Sequence, residues 1–135
     1  MEDLVNIGEE EYTKGNIDQA IECYDEALKQ DPDDVCAYTN RGAAFYDLGL
    51  LEESLKDLDE ALKRCPDFLP ALLNRGNTLL ELGKPFAAIK EYNKAIQIDP
   101  QIAGAYLNRS QAYEAIGKTD LAKRDLAKYK QLEKQ

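Results

Sequence analysis

One triplet recurs at a fixed interval. Asn40-Arg41-Gly42 returns as Asn74-Arg75-Gly76 and as Asn108-Arg109-Ser110, with a fainter Asn6-Ile7-Gly8 before them, each 34 residues after the last. A period of this length constrains the fold more than composition does. Each period is one supersecondary unit that cannot bury its apolar face alone, so neighbouring copies must stack. Pro32, Pro66 and Pro100 keep the same interval, as do Gly15, Gly49, Gly83 and Gly117. The prolines separate periods, and the glycines divide each period into two helical stretches, because glycine ends a helix in the left-handed conformation at low steric cost. Local signals mark the helix starts. Asn16 with Gln19 has capping-box spacing, Pro85 suits a first helical position, and Asp33 or Asp34, and Asp67, are expected caps.

The two helices of each period carry their own register. Gly8, Gly42, Gly76 and Ser110 fall in the first helices; Ala20, Ser54, Ala88 and Ala122 fall in the second. Small residues at facing positions let two antiparallel helices approach closely. Around them run two large columns, Tyr24, Leu58, Tyr92 and Leu126, and Phe45, Leu79 and Tyr113, which are expected to be core. This arrangement of small, aromatic and proline positions resembles the tetratricopeptide repeat. The resemblance covers the chain as one domain, residues 1–135, in four repeats: 1–34, 35–68, 69–102 and 103–135. It implies an all-α, right-handed α-solenoid of eight helices, with the first helices lining a concave groove and the second on the convex side.

The ends carry a different pattern. The stripe Ala37, Ala44 and Leu48 repeats as Ala71, Thr78 and Leu82 and as Ala105, Ala112 and Ile116, but in the first period it reads Asp3, Glu10 and Lys14. In the last period Ile21/Leu55/Ile89 becomes Lys123, and Leu28/Leu62/Ile96 becomes Lys130. Such polar outer faces are what terminal repeats require, and a complete array is expected. On the convex face, Asp25–Lys29 and Asp59–Lys63 have helical pair spacing.

Charge and composition exclude several functions. Of 135 residues, 32% are charged and 44% apolar, the balance of a globular chain. Residues 1–34 hold twelve carboxylates against two lysines, whereas 103–135 hold four against seven cations. The acidic half would repel nucleic acid. No apolar run approaches the ~20 residues that span a bilayer, and the acidic start Met1-Glu2-Asp3 is unlike a signal peptide. Three irregularly spaced cysteines, Cys23, Cys36 and Cys65, fit a reducing cytoplasm. There is no histidine. With no phosphate-cradling glycine loop and no metal-ligand cluster either, an enzyme, a metal or a cofactor is not expected.

Register within the resemblance nominates a peptide-binding surface. Asn6, Asn40, Asn74 and Asn108 form a ladder able to pair with an extended ligand's peptide groups. Beside it lie Val5, Thr39, Leu73 and Leu107, then Glu9, Ala43, Asn77 and Gln111, then Tyr12, Tyr46, Leu80 and Glu114. The same asparagines also suit a structural role, tying neighbouring helices. One hydrogen bond nets only about 1 kcal/mol, so affinity must come from apolar burial. An apolar or amphipathic partner is therefore expected, and Glu9, Asp47, Glu81 and Glu114 favour a neutral or basic one. Arg41, Arg75 and Arg109 face away from the groove, towards carboxylates such as Glu22, Glu26, Asp59 and Glu60.

The family's carboxylate clamp for acidic chaperone C-termini, lysine-asparagine-asparagine-lysine-arginine, falls on Val5, Glu9, Asn40, Pro70 and Asn74. Only Asn40 matches, so that function is not expected. The leading reading is a non-catalytic interaction module, monomeric apart from weak head-to-tail contacts. The alternative is a structural piece of a homo- or hetero-oligomeric assembly.

Overall fold

The computed structural model describes residues 3–135; Met1 and Glu2, with which the first repeat is expected to begin, lie outside it. Among the described residues there are eight helices and no strand: α1 (Leu4–Thr13), α2 (Ile17–Gln30), α3 (Val35–Asp47), α4 (Leu51–Arg64), α5 (Leu69–Glu81), α6 (Pro85–Ile98), α7 (Ala103–Ala115) and α8 (Thr119–Glu133). They follow one another as four helix–turn–helix units. Each turn holds its glycine at positive φ, between 77° and 88°, at Gly15, Gly49, Gly83 and Gly117. None of the eight is long and apolar enough to cross a membrane.

Two compact units divide the chain, the first closing at Asn74 and the second opening at Arg75. In the first, α1 packs on α2, α2 on α3 and α3 on α4, and α1 also reaches α3. Ala20, Tyr24 and Ala44 form one core cluster, flanked by Val5, Tyr12, Ile17 and Ile21. Leu58, Ala61 and Ala71 form another, flanked by Val35, Tyr38, Leu62 and Phe68. In the second unit α6 packs on α7 and α7 on α8, and Ala88, Tyr92, Ala95, Ala105 and Ala112 are fully buried. Alanine and glycine dominate the contact lines because helices this close leave room for little else.

Several local expectations need correction. Asn16 makes no side-chain cap to α2; its amide instead donates to Glu11 Oε2 at 2.8 Å, so the capping box with Gln19 does not form. Asp34 does cap α3, accepting from the Ala37 amide at 3.1 Å. α5 opens at Leu69, which sets Phe68, not Asp67, next to its first turn. Leu48 and Leu126 are 44% and 36% exposed. Leu48 sits past the last turn of α3, as its C-cap, and Leu126 lies on α8, whose packing partner is α7. Asp25 turns to Arg41 rather than Lys29, and Lys29 bridges Glu26 at 3.7 Å.

Candidate functional site

Helical spacing builds one hollow within the first unit. Glu9, Tyr12 and Thr13 project from one face of α1, Asn40 and Ala43 from one face of α3, and Tyr24 closes the space from α2. These six residues line a cavity of about 300 Å³. Positions three and four apart lie on the same side of a helix, which is why 9, 12 and 13 converge, and likewise 40 and 43. Asp47, one turn beyond Ala43, accepts a hydrogen bond from the Tyr12 hydroxyl and ties α1 to α3.

Polar groups in the hollow are largely committed to one another. Asn40 Nδ2 donates to Glu9 Oε1 at 2.9 Å, and Thr13 Oγ1 donates to the Glu9 carbonyl at 2.6 Å. Burial, then the hydrogen bond to Asp47 and its charge, pushes the Tyr12 phenol up to about 12. Burial, then the Glu9 charge, does the same to Tyr24. No lysine or arginine is among the lining residues. Cys36 is exposed, but partial desolvation and the charges of Asp34, Glu9 and Asp3 push its thiol up. That is the opposite of the electropositive setting a reactive thiolate needs. Among the described residues, no group of three or more His, Cys, Asp or Glu is placed to hold a metal ion.

The expected ladder is not uniform. Asn6 is exposed and its amide donates to Asp3 Oδ2 at 3.1 Å, beside the N-cap of its own helix. Asn40 is half-buried and bridges two helices, the structural role that competes with ligand binding. Thr39 is 2% exposed, so it is not available surface. Its short side chain turns back to the Val35 carbonyl at 2.8 Å instead of projecting past the backbone as a leucine would. Tyr46, Leu73 and Asn74 are half-buried in the first unit. In the second, Leu80, Leu107 and Asn108 are half-buried and Gln111 is exposed. Asn77 Oδ1 accepts from the Tyr92 hydroxyl at 2.6 Å. Of the ladder asparagines, Asn40 is the one that lines the hollow, together with Glu9, Tyr12 and Ala43 from the neighbouring rows of the expected groove. Sequence reasoning did not foresee Tyr24 and Thr13 as wall residues. The one available signal was a tyrosine at 24 where the same column holds leucine at 58, since a buried phenol needs a polar outlet.

The arginines form interhelical ties. Arg41 donates from Nε and Nη2 to both Asp57 oxygens at 2.8 Å, and from Nη1 to Asp25 at 2.8 Å. Arg109 grips Asp125 twice at 2.7 Å and Asn93 Oδ1 at 2.8 Å; Arg75 meets Glu91 at 3.4 Å. The structural reading of the arginines stands, and Arg41 has partners other than those expected. Arg41 uses Asp25 and Asp57, while Glu26 bridges Lys29 and Glu60 bridges Arg64.

Comparison with known proteins agrees with this architecture. A TPR repeat family model matches residues 8–49 and 76–117, and tetratricopeptide repeat models match 35–68 and 103–135. Among solved structures, the chain is similar to TTC0263, a thermophilic TPR protein of Thermus thermophilus, at 23% identity and TM-score 0.89, over 97% of this chain and 73% of that one. It is similar to the first TPR of Spaghetti (RPAP3), solved bound to the HSP90 peptide SRMEEVD, at 24% identity and TM-score 0.81, over 84% and 90%. A MamA crystal structure matches at 25% identity and TM-score 0.68, over 95% of each chain. At these identities the structural likeness is one of fold. With four tandem helix–turn–helix units and family models matching from Gly8 to Phe68 and from Gly76 to Gln135, the chain belongs to the tetratricopeptide repeat family, of the all-α solenoid class.

Proposed function

We propose that this protein is a non-catalytic interaction module, working as one domain in the cytoplasm, that holds a peptide segment of a partner against its first helices. The hollow between α1 and α3 carries the reading. It is an open concavity whose polar wall is set by Glu9 and Asn40, on the helices that the family resemblance assigns to ligand contact. Leu73 is half-buried on a first helix of the first unit, leaving apolar surface for a neutral or basic amphipathic segment. One structurally similar protein was solved with a peptide bound, which adds support. Free Cys23, Cys36 and Cys65 suit a reducing compartment.

Asn40 already spends an amide hydrogen on Glu9, so its carbonyl oxygen is the group left to accept from a ligand backbone. A pull-down from native cells compares wild type with Asn40→Ala/Asn74→Ala. Loss of a captured partner by a variant of unchanged thermal stability supports the reading. Equal capture, or unfolding of the variant, returns both asparagines to purely structural roles.

A second reading, a structural piece of an assembly, draws on Phe86. It is 70% exposed in the first turn of α6, where the same register holds Asp18, Glu52 and Asp120 in the other periods. An aromatic in a place otherwise kept acidic is the kind of anchor that interfaces use. Phe86→Ala that dissolves a complex while leaving peptide capture intact favours that reading.

A further inference from the structure

We propose that the hollow between α1 and α3 is a specificity pocket for one arginine side chain carried by the bound peptide. The proposal rests on the peptide-binding reading and narrows its partner to a segment with a guanidinium at one position. The pocket's hydrogen-bonding state carries the argument. Asn40 Nδ2, the Tyr12 hydroxyl and Thr13 Oγ1 all donate within the fold, to Glu9, Asp47 and the Glu9 carbonyl. Apart from the second amide hydrogen of Asn40, what remains is acceptor capacity. An ionised carboxylate offers about four lone-pair sites, of which Asn40 occupies one on Glu9, and Asn40 Oδ1 is open as well.

Three further properties select the occupant. Glu9 and Asp47 are carboxylates and no cation lines the cavity, so a positive group gains where an acid would be repelled. Tyr12, half-buried, supplies an aromatic wall, which suits a guanidinium better than an ammonium because it is planar, weakly hydrated and stacks. The volume, about 300 Å³, is at the lower limit of small-molecule pockets, enough for one side chain rather than a folded ligand. The charge at Glu9 has no counterpart in its own register, where the later periods hold Ala43, Asn77 and Gln111. Two periods on, Glu9, Tyr12 and Asn40 become Asn77, Leu80 and Asn108, all uncharged.

Backbone amide spectra of the full chain, titrated with N-acetyl-L-arginine methylamide and with its methionine counterpart, test the pocket directly. The arginine probe should give saturable shifts centred on Glu9, Tyr12, Asn40 and Ala43, and the methionine probe should not. Glu9→Gln keeps an acceptor for Asn40 and removes the charge; it should weaken the arginine probe about fivefold, the scale of one exposed ion pair. Equal shifts from both probes, or no change in Glu9→Gln, overturn the pocket. An amphipathic peptide with a single central arginine and its methionine twin separate this from the parent reading. If both peptides bind equally, peptide capture stands and the pocket falls. If neither peptide binds while the arginine probe does, the peptide reading falls and the site takes free guanidinium compounds. If nothing binds, both fall.

Discussion

Gly76→Ala is expected to destabilise the second unit even though alanine is the better helix former. A Cβ at Gly76 would lie 2.5 Å from Cε1 of Tyr92, 2.9 Å from Cζ and 3.0 Å from Cδ1. Carbon atoms at ease sit about 3.5–4.0 Å apart, so the ring must retreat by roughly 1 Å. It has nowhere to go. Tyr92 is 0% exposed, and its hydroxyl is held by Asn77 at 2.6 Å. The helix gains about 1 kcal/mol from losing glycine. Against this stand overpacking, about 1–3 kcal/mol, and a strained hydrogen bond worth about 1 kcal/mol. The net loss is about 1–3 kcal/mol, or roughly 4–12 °C in Tm for a chain of this size. The fourth repeat shows the same logic relaxed. Ser110 occupies this register with its hydroxyl on the Leu107 carbonyl at 2.6 Å, and the residue at the Tyr92 place is the exposed Leu126. Calorimetry and urea midpoints of Gly76→Ala, Tyr92→Leu and the double variant decide it. The cost of Gly76→Ala should shrink by about 1 kcal/mol or more once the ring is gone. A neutral or stabilising Gly76→Ala, or strict additivity, refutes the reasoning.

Arg41→Ala should cost about 3–5 kcal/mol because it strands a buried Asp57, whereas Asp25→Ala, which removes a carboxylate that is itself half-exposed, should cost no more than about 1 kcal/mol; equal urea midpoints would refute this. Tyr12 and Tyr24 titrate near 12 in the fold against about 10 in the unfolded chain, so their contribution is complete below about pH 10 and is lost as pH rises towards 12. Tyr12→Phe should flatten that alkaline decline, and parallel curves for variant and wild type would exclude it. Calorimetric titration with SRMEEVD at physiological salt should give no saturable heat, since Val5, Pro70 and Asn74 stand where clamp cations would be needed and Glu9 would repel a carboxylate; saturable binding would overturn that. Exposed Asp3 and Glu10 in the first repeat, and Lys123 and Lys130 in the last, predict a monomer by light scattering at physiological salt, with association only at low salt. An oligomer surviving about 0.5 M salt, where the screening length is only a few ångströms, needs a different contact.

The helices were legible because each boundary is set by a residue acting on its own backbone. Gly15 bends the chain whatever its neighbours are, and Asp34 caps whatever helix follows it. The site was legible only in part, because a polar side chain's role is set by what the next helix presents at the same level. Asn40 and Asn77 look alike in sequence, yet one meets a carboxylate on α1 and the other a phenol on α6. Even the local signal failed where a competitor lay within reach, since Asn16 gave up its cap for Glu11. Thr39 shows the same limit from the apolar side: register assigned it to the groove, but a hydroxyl one turn from a carbonyl bonds backwards and the side chain vanishes from the surface. Arg41 and Arg109 were read correctly in kind, and their carboxylate partners were missed for a related reason. A guanidinium fork selects the carboxylate whose two oxygens it can face together, and Asp57 and Asp125 each stand 16 residues after their arginine, at matching heights on the paired helix. That spacing is itself periodic, so a reading that searched for acids at a constant offset from the arginines, instead of nearby in the helix, would have found both.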